Sequence, residues 1–444
     1  MNSKLDFPLF TVIIPQKDRA EYLIYTLRTC MAQNYPNFEI IVSDDCSEDN
    51  SVEVVRKLMK EDSRIKLFTH DHNLGMRDNF EFALNQVRSG YVIALGGDDG
   101  LTPGSIQKMH DILTSTNTEL LTWSTPKFIF PGLYSDSGIL TTTRKTGIKV
   151  IKSNDFLKKM SINLNYNSDD ECPMFYIKGV VSTKLVHNVK RRSFENRFYS
   201  CPTPDGFSGI VLAGEVENYS FTTEPLSIVG SNHSSQGVSY FRDDKKSIKE
   251  SNKFFKQNEN ITMHKELASQ QYSPLIALMT ADYLLTSRDL PGWKGKFPPI
   301  NYKNLLKKSF EELASGKWSN NVNLENGINR ELAVLKEIAI KHNLSNYYNY
   351  LLKTTMIKKY SITELEGSGF TRNSYYFDNS TLEITNIYEA AFASKLLHNL
   401  IKSMSIKNLF NIIFKTIKYF IKFRAKGKTM FSFIIINKQV NKKI

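Results

Sequence analysis

Residues 10–15 read Phe-Thr-Val-Ile-Ile-Pro, and residues 38–43 read Phe-Glu-Ile-Ile-Val-Ser. Both runs are short and β-branched, which is the pattern of a strand buried on both faces. Between them, residues 19–33 place Tyr22, Leu23, Thr26, Leu27, Cys30 and Met31 at helical spacing. The same rhythm continues outward. A turn-rich stretch, 44–50, leads into a helical run at 52–60, then come a strand at 65–68, a helix at 79–87 and a strand, Tyr-Val-Ile-Ala-Leu, at 91–95. Strand and helix alternating over short connections predict a mostly parallel, doubly wound α/β sheet with helices on both faces. In such sheets the ligand lies beyond the C-terminal ends of the strands. The loops after Ile14, Ser43, Phe68 and Leu95 therefore carry the functional information.

The rest of the chain changes character. Residues 120–240 are mixed, with strands expected at 120–124, 175–181 and 225–229. Beyond residue 247 the pattern is helical, over 265–287, 302–315, 329–342, 346–358 and 380–404, interrupted by the proline-rich segment 291–299. This predicts an α/β domain over 1–240, a helical domain over 241–400 and a tail over 401–444.

The 444 residues are 41% hydrophobic and 23% charged, so the chain can bury a large core and is not a disordered protein. Four scattered cysteines with no CxxC pair fit neither a disulfide framework nor a zinc knuckle, and suit a reducing compartment. No apolar run is long enough to span a bilayer. The net charge of +13 is a property of the tail: residues 401–444 hold eleven Lys or Arg and no Asp or Glu. The nearly neutral body argues against a nucleic-acid partner. On a helical wheel Lys407, Asn411, Lys415, Lys418 and Lys422 form one stripe, and Leu409, Phe410, Ile412, Ile413, Phe414, Ile417 and Phe420 fill the remaining arc. A lysine stripe beside a wide apolar arc suits an interfacial helix on an anionic membrane surface. The alternative is a helix docked on the preceding domain.

The strongest chemical signal ends the strand at 91–95: Ala94-Leu-Gly-Gly-Asp98-Asp99-Gly100. Two carboxylates among glycines at a strand exit suit a hard divalent cation carrying phosphate oxygens. An ordinary Asp-Gly turn is the competing reading. The wider context resembles family 2 glycosyltransferases of the GT-A fold. The matching elements are Thr11-Val-Ile-Ile-Pro15, Arg19-Ala-Glu-Tyr-Leu23, Gln33-Asn-Tyr-Pro36, Phe38-Glu-Ile-Ile-Val-Ser-Asp44-Asp45-Cys-Ser47, Asn73-Leu-Gly75-Met-Arg77 and Gly90 through Asp99, in the family's order over the first hundred or so residues.

The resemblance implies a nucleotide-sugar donor across the C-terminal sheet edge. Pro15 would lie beside the nucleobase, Asp44 or Asp45 would bind uracil or ribose, and Asn73 and Arg77 would line the base and phosphate side. Asp98 and Asp99 would meet Mn²⁺ or Mg²⁺, with His233, in Gly230-Ser-Asn-His-Ser-Ser-Gln-Gly237, as a further metal or diphosphate ligand. Asp205, in Cys201-Pro-Thr-Pro-Asp-Gly-Phe-Ser208, matches the family's catalytic base, with Asp169, Asp170, Glu171 and Glu215 as competitors. Two departures stand out. Gln16-Lys17-Asp18 follows Pro15 where an aromatic is usual, and Gly96 replaces the first carboxylate of the DxD motif. The expected activity is inverting transfer of one sugar, from a UDP-sugar above all, to a lipid-linked surface glycan at the cytoplasmic face of a membrane. A sugar nucleotidyltransferase and a non-catalytic membrane scaffold are the rival readings.

Overall fold

The computed structural model describes residues 7–402, apart from 134–135, 144–146, 234, 236, 238–244, 268–271, 316–326, 356–367, 371–373 and 381. The expected alternation is present. Strand β1 (Phe10–Gln16) lies between β2 (Phe38–Asp44) and β4 (Tyr91–Ala94), parallel to both, and β3 (Ile65–Thr69) extends the sheet parallel to β2. Both central strands are buried along their whole length, and their period-two pattern divides between the two faces. Val12, Ile14, Ile40 and Val42 pack with Leu23, Leu27 and Cys30 of α1 (Ala20–Met31) and with Val55 and Leu58 of α2 (Ser51–Met59). Ile13 and Ile41 face the other way, onto Phe80, Ala83 and Leu84 of α3 (Met76–Asn85). Helices cover both faces because each strand is apolar on both.

Beyond β4 the sheet becomes mixed and reaches eight strands, through Gly179–Ser182, Leu120–Trp123, Asn218–Thr222 and Ile148–Lys152. The strand expected at 175–181 is only Gly179–Ser182. Its first half is an irregular turn in which Ile177 has φ 63° and ψ −31°.

Two sets of contacts cross the expected partition at residue 240. First, the helices after 245 extend the α/β core. Ile276–Arg288 packs on Asp205–Ala213, and Tyr283 and Leu284 share one apolar cluster with Phe207 and Val211. Trp293, in the proline-rich segment, donates its indole N–H to the Val211 carbonyl at 2.9 Å. Second, the end of the chain returns to the first domain. The helix expected over 380–404 is preceded by a strand, Ser374–Asp378, which pairs antiparallel with Ile139–Thr143 in a second, six-stranded sheet. Tyr375 and Phe377 alternate inward there, a period-two signal too short to outweigh the helical pattern after it. Helix Ile387–Lys402 then packs against α1, with Ile387, Ala390 and Ala391 buried on Phe128, Leu140 and Ile228. Tail residues 403–444 lie outside the described residues. Among the described residues no helix is long and apolar enough to cross a membrane.

Candidate active site

The C-terminal ends of β1, β2 and β4 converge on one edge, and the sequence-nominated residues divide into two groups there. Asp44, at the end of β2, accepts from the Gln16 side-chain amide and from the Ser47 N–H at 2.9 Å. Asp45 accepts the amides of Leu74 (2.6 Å) and Gly75 (3.0 Å), clamping the loop that carries Asn73. Asn73 itself accepts from Gln257 at 2.8 Å. Pro15 is buried opposite Ser43. Arg77, in the first turn of α3, holds Asp78 at 2.9 Å, and Asp78 also binds Arg197 at 2.6 Å. Lys17 donates to the carbonyls of Asp45 and Cys46 and braces the same loop.

The second group surrounds the turn after β4. Asp98 and Asp99 are 8% and 1% exposed. Asp99 is saturated by protein donors: its Oδ2 accepts from the Gly96 N–H (2.7 Å) and the Tyr176 hydroxyl (3.1 Å), and its Oδ1 from the Gly230 N–H (2.9 Å). Asp98 accepts from the Asn232 side chain at 2.7 Å and more distantly from Ser235 at 3.5 Å. Burial raises the pKa of Asp98, and the nearby Arg19 charge works against that rise. Asp99 is raised further, by burial and then by the charge of Asp98.

Asn232 and Arg19 were not singled out by the sequence reading. Asn232 sits one residue before the nominated His233, and Arg19 was only one letter of the motif. His233 is exposed, beside Gly132. Among the described residues no group of three His, Cys, Asp or Glu is placed to hold a metal ion. The donor set therefore fits a cation through Asp98 alone. That carboxylate is buried and sparsely compensated, and a cation arriving on a diphosphate would have its remaining ligands from phosphate and water.

Asp205 opens helix Asp205–Ala213. Its neighbours are the Tyr166 hydroxyl, 3.3 Å from Oδ2, the Thr203 hydroxyl and the Gly206 amide, with no cation among them. Burial dominates and raises its pKa. The competing carboxylates are committed elsewhere. Asp169 pairs with Lys159 at 2.6 Å, Glu171 with Lys149 and Lys159, and Glu215 with Arg192. Asp170 accepts from Ser124 at 3.3 Å near the buried Lys178. Tyr176 donates to Asp99, and its ionisation is opposed by burial and then by the charges of Asp99, Asp98 and Asp205. The fold thus buries Asp205 among hydroxyls and an amide, with its proton affinity raised, and holds the buried Asp98–Asp99 pair beside Tyr176.

Residues 11–160 match the model of glycosyl transferase family 2, the family the motifs resemble. An uncharacterized glycosyltransferase of Haemophilus influenzae is 27% identical over 141 residues, which is 32% of this chain and 55% of that protein. The GalNAc(5)-diNAcBac-PP-undecaprenol beta-1,3-glucosyltransferase of Campylobacter jejuni is 34% identical over 103 residues, 23% of this chain and 33% of that one. The chain thus spans from a third to just over half the length of these relatives. Among solved structures, S. aureus TarS 1–349 in complex with UDP-GlcNAc aligns at a TM-score of 0.44 and 12% identity, over 78% of this chain and 91% of that one.

Proposed function

We propose that this protein is an inverting glycosyltransferase that moves one sugar from a nucleotide-sugar donor, a UDP-sugar above all, to a hydroxyl of a lipid-linked surface glycan. The observation that carries the reading is the state of two carboxylates: Asp98, buried at a strand exit near the Arg19 charge, and Asp205, buried at a helix start among hydroxyls and an amide with no cation beside it. The family match over 11–160 supports the reaction class. The Campylobacter relative, named for a substrate linked to undecaprenol through a diphosphate, supports the choice of acceptor.

In the reaction the acceptor oxygen attacks C1 of the donor sugar as its proton passes to Asp205. The bond from C1 to the diphosphate oxygen breaks, and the nucleoside diphosphate leaves from the opposite face. The raised pKa of Asp205 brings its basicity closer to what a general base needs. Asp44 and the Asn73 loop braced by Asp45 are assigned to the nucleoside, and Arg19 and Arg77 to the diphosphate. A Mn²⁺ or Mg²⁺ ion held by Asp98 would offset charge developing on the leaving diphosphate. Residues 403–444, basic and amphipathic in sequence, are assigned to the anionic inner face of the membrane, where a lipid-linked acceptor is presented.

Incubation with a panel of nucleotide sugars, with and without Mn²⁺, tests the reading. Release of a nucleoside diphosphate is expected. Release of inorganic pyrophosphate from sugar phosphate and nucleoside triphosphate would replace it with a nucleotidyltransferase. No turnover with any donor would leave a scaffold.

A further inference from the structure

The departure at Gly96 has a physical cause in its surroundings. A Cβ built on Gly96 would stand 2.7 Å from Asp99 Oδ2, 2.8 Å from the Tyr176 hydroxyl and 3.1 Å from Asp98 Oδ1. The first two contacts are shorter than side-chain carbons tolerate, and both involve side chains held in place from several directions. Asp99 is fixed by the Gly96 and Gly230 amides as well as by Tyr176. Tyr176 is fixed by a parallel bridge to Ala94, the last residue of β4, and by edge-on packing with Phe80 at 5.7 Å. The residue after it, Ile177, is β-branched yet sits at φ 63°, a conformation that costs ~1–3 kcal/mol and persists only where the surroundings impose it. Its carbonyl is held by Ser227, whose Oγ in turn accepts the Trp123 indole N–H at 2.8 Å. The strained backbone delivers the phenol to the Asp99 carboxylate.

We propose that Tyr176 is a positioning residue of the donor site: with Asp99 it fills the space beside Gly96, and its hydroxyl holds Asp99 turned inward so that Asp98 alone faces the diphosphate and its cation. The proposal rests on the donor-site reading above and goes beyond it. It states why this chain has no carboxylate at 96 and which side chain takes up that place. Asp99 has one function in this arrangement, to tie the Gly96 and Gly230 backbones together and so fix the direction of Asp98.

Two measurements on the full chain test it. The first is a thermal-unfolding cycle of Gly96→Ala, Tyr176→Phe and the double variant, which needs no ligand. The added methyl meets the hydroxyl that Tyr176→Phe removes. Gly96→Ala should therefore lower Tm markedly in the parent and clearly less in the Tyr176→Phe background. Additive losses would overturn the steric claim. The second is calorimetric binding of UDP as a function of Mn²⁺ concentration. Tyr176→Phe should raise the half-saturating Mn²⁺ concentration about tenfold or more, the worth of one hydrogen bond to a carboxylate. An unchanged Mn²⁺ dependence in Tyr176→Phe, with parent-like UDP binding, would overturn the positioning role. Failure of the parent to bind UDP, ADP or GDP at any Mn²⁺ concentration would instead overturn the donor-site reading, with the unfolding cycle still deciding the steric claim.

Discussion

At the residue scale the site is built from carboxylates with different degrees of compensation. Asp99 has three donors, Asp98 is met by Asn232 and the nearby Arg19 charge, and Asp205 has hydroxyls and one amide. The proposed parts follow this ordering. Asp98→Asn should abolish transfer and remove the Mn²⁺ dependence of UDP binding with Tm little changed; a variant that still transfers at the parent rate would exclude Asp98 from the donor site. Asp205→Asn should leave UDP binding unchanged and slow transfer about 10²–10⁴-fold, the usual worth of a general base. Normal transfer by that variant, alongside an inactive Asp170→Asn, would reduce Asp205 to a helix-terminal residue. Asp98, Asp99 and Asp205 were legible in the sequence because each follows a recognisable strand or precedes a recognisable helix. Asn232 and Tyr176 were not, since their roles arise from contacts made across more than seventy residues. The inward turn of Asp99 was hidden for the same reason: a sequence places a carboxylate at a strand exit but does not aim it.

At the element scale, helix Ile276–Arg288 reaches the loop before Asp205 through Asp282. This carboxylate is buried, accepts from the His264 N–H at 2.6 Å and from the Cys201 thiol at 3.8 Å, and burial pushes its pKa up to about 7. The thiol is itself pushed well up by burial, then by the charge of Asp282, so it stays protonated as the donor. The folded-state pKa exceeds the unfolded value of ~3.9, so the stability tied to Asp282 is complete below pH ~4 and is lost as pH rises through about 7. Asp282→Asn should flatten that dependence. Across the upper part of the window the parent should lose up to ~1.4 kcal/mol per pH unit relative to the variant, measured by denaturant unfolding from pH 5 to 8. Parallel curves for the two proteins would mean that Asp282 stays ionised when folded. The α/β elements themselves were legible within a few residues, because β1 to β4 and α1 to α3 carry clear two- and 3.6-residue periods. The strands at Lys127–Ile129, Ile139–Thr143 and Ser374–Asp378 were not. They are short and rich in Thr, Lys or Tyr, and each pairs with at least one partner far along the chain.

At the scale of the whole molecule, the return of the C-terminal segment changes what the basic tail is attached to. The tail begins where helix Ile387–Lys402 ends, and that helix lies on α1 and on the strand Gly100–Leu101 just after the carboxylate turn, with Lys395 paired to Glu224 at 2.6 Å. A membrane bound through residues 403–444 would thus be tethered to the α/β domain that carries the proposed donor site. Two truncations separate the parts. Ending the chain at 402 removes eleven cations less Lys402 and leaves every described contact in place. UDP binding and Tm should be retained, and only affinity for anionic vesicles should fall. Ending it at 368 uncovers Phe128, Leu140 and Ile228 and removes Tyr375, Phe377 and Ile387, each buried side chain being worth ~1.5–3 kcal/mol. That protein should unfold at lower temperature or aggregate. In the intact chain each lysine near an anionic surface contributes ~1 kcal/mol, and the attraction is screened over ~8 Å at physiological ionic strength. Vesicle binding should therefore weaken with added salt and with neutral lipid. If the chain ending at 402 binds anionic vesicles as the full chain does, the tail is not the membrane contact. If it loses Tm as the chain ending at 368 does, the apolar arc of the tail is packed on the protein and takes no part in the membrane surface.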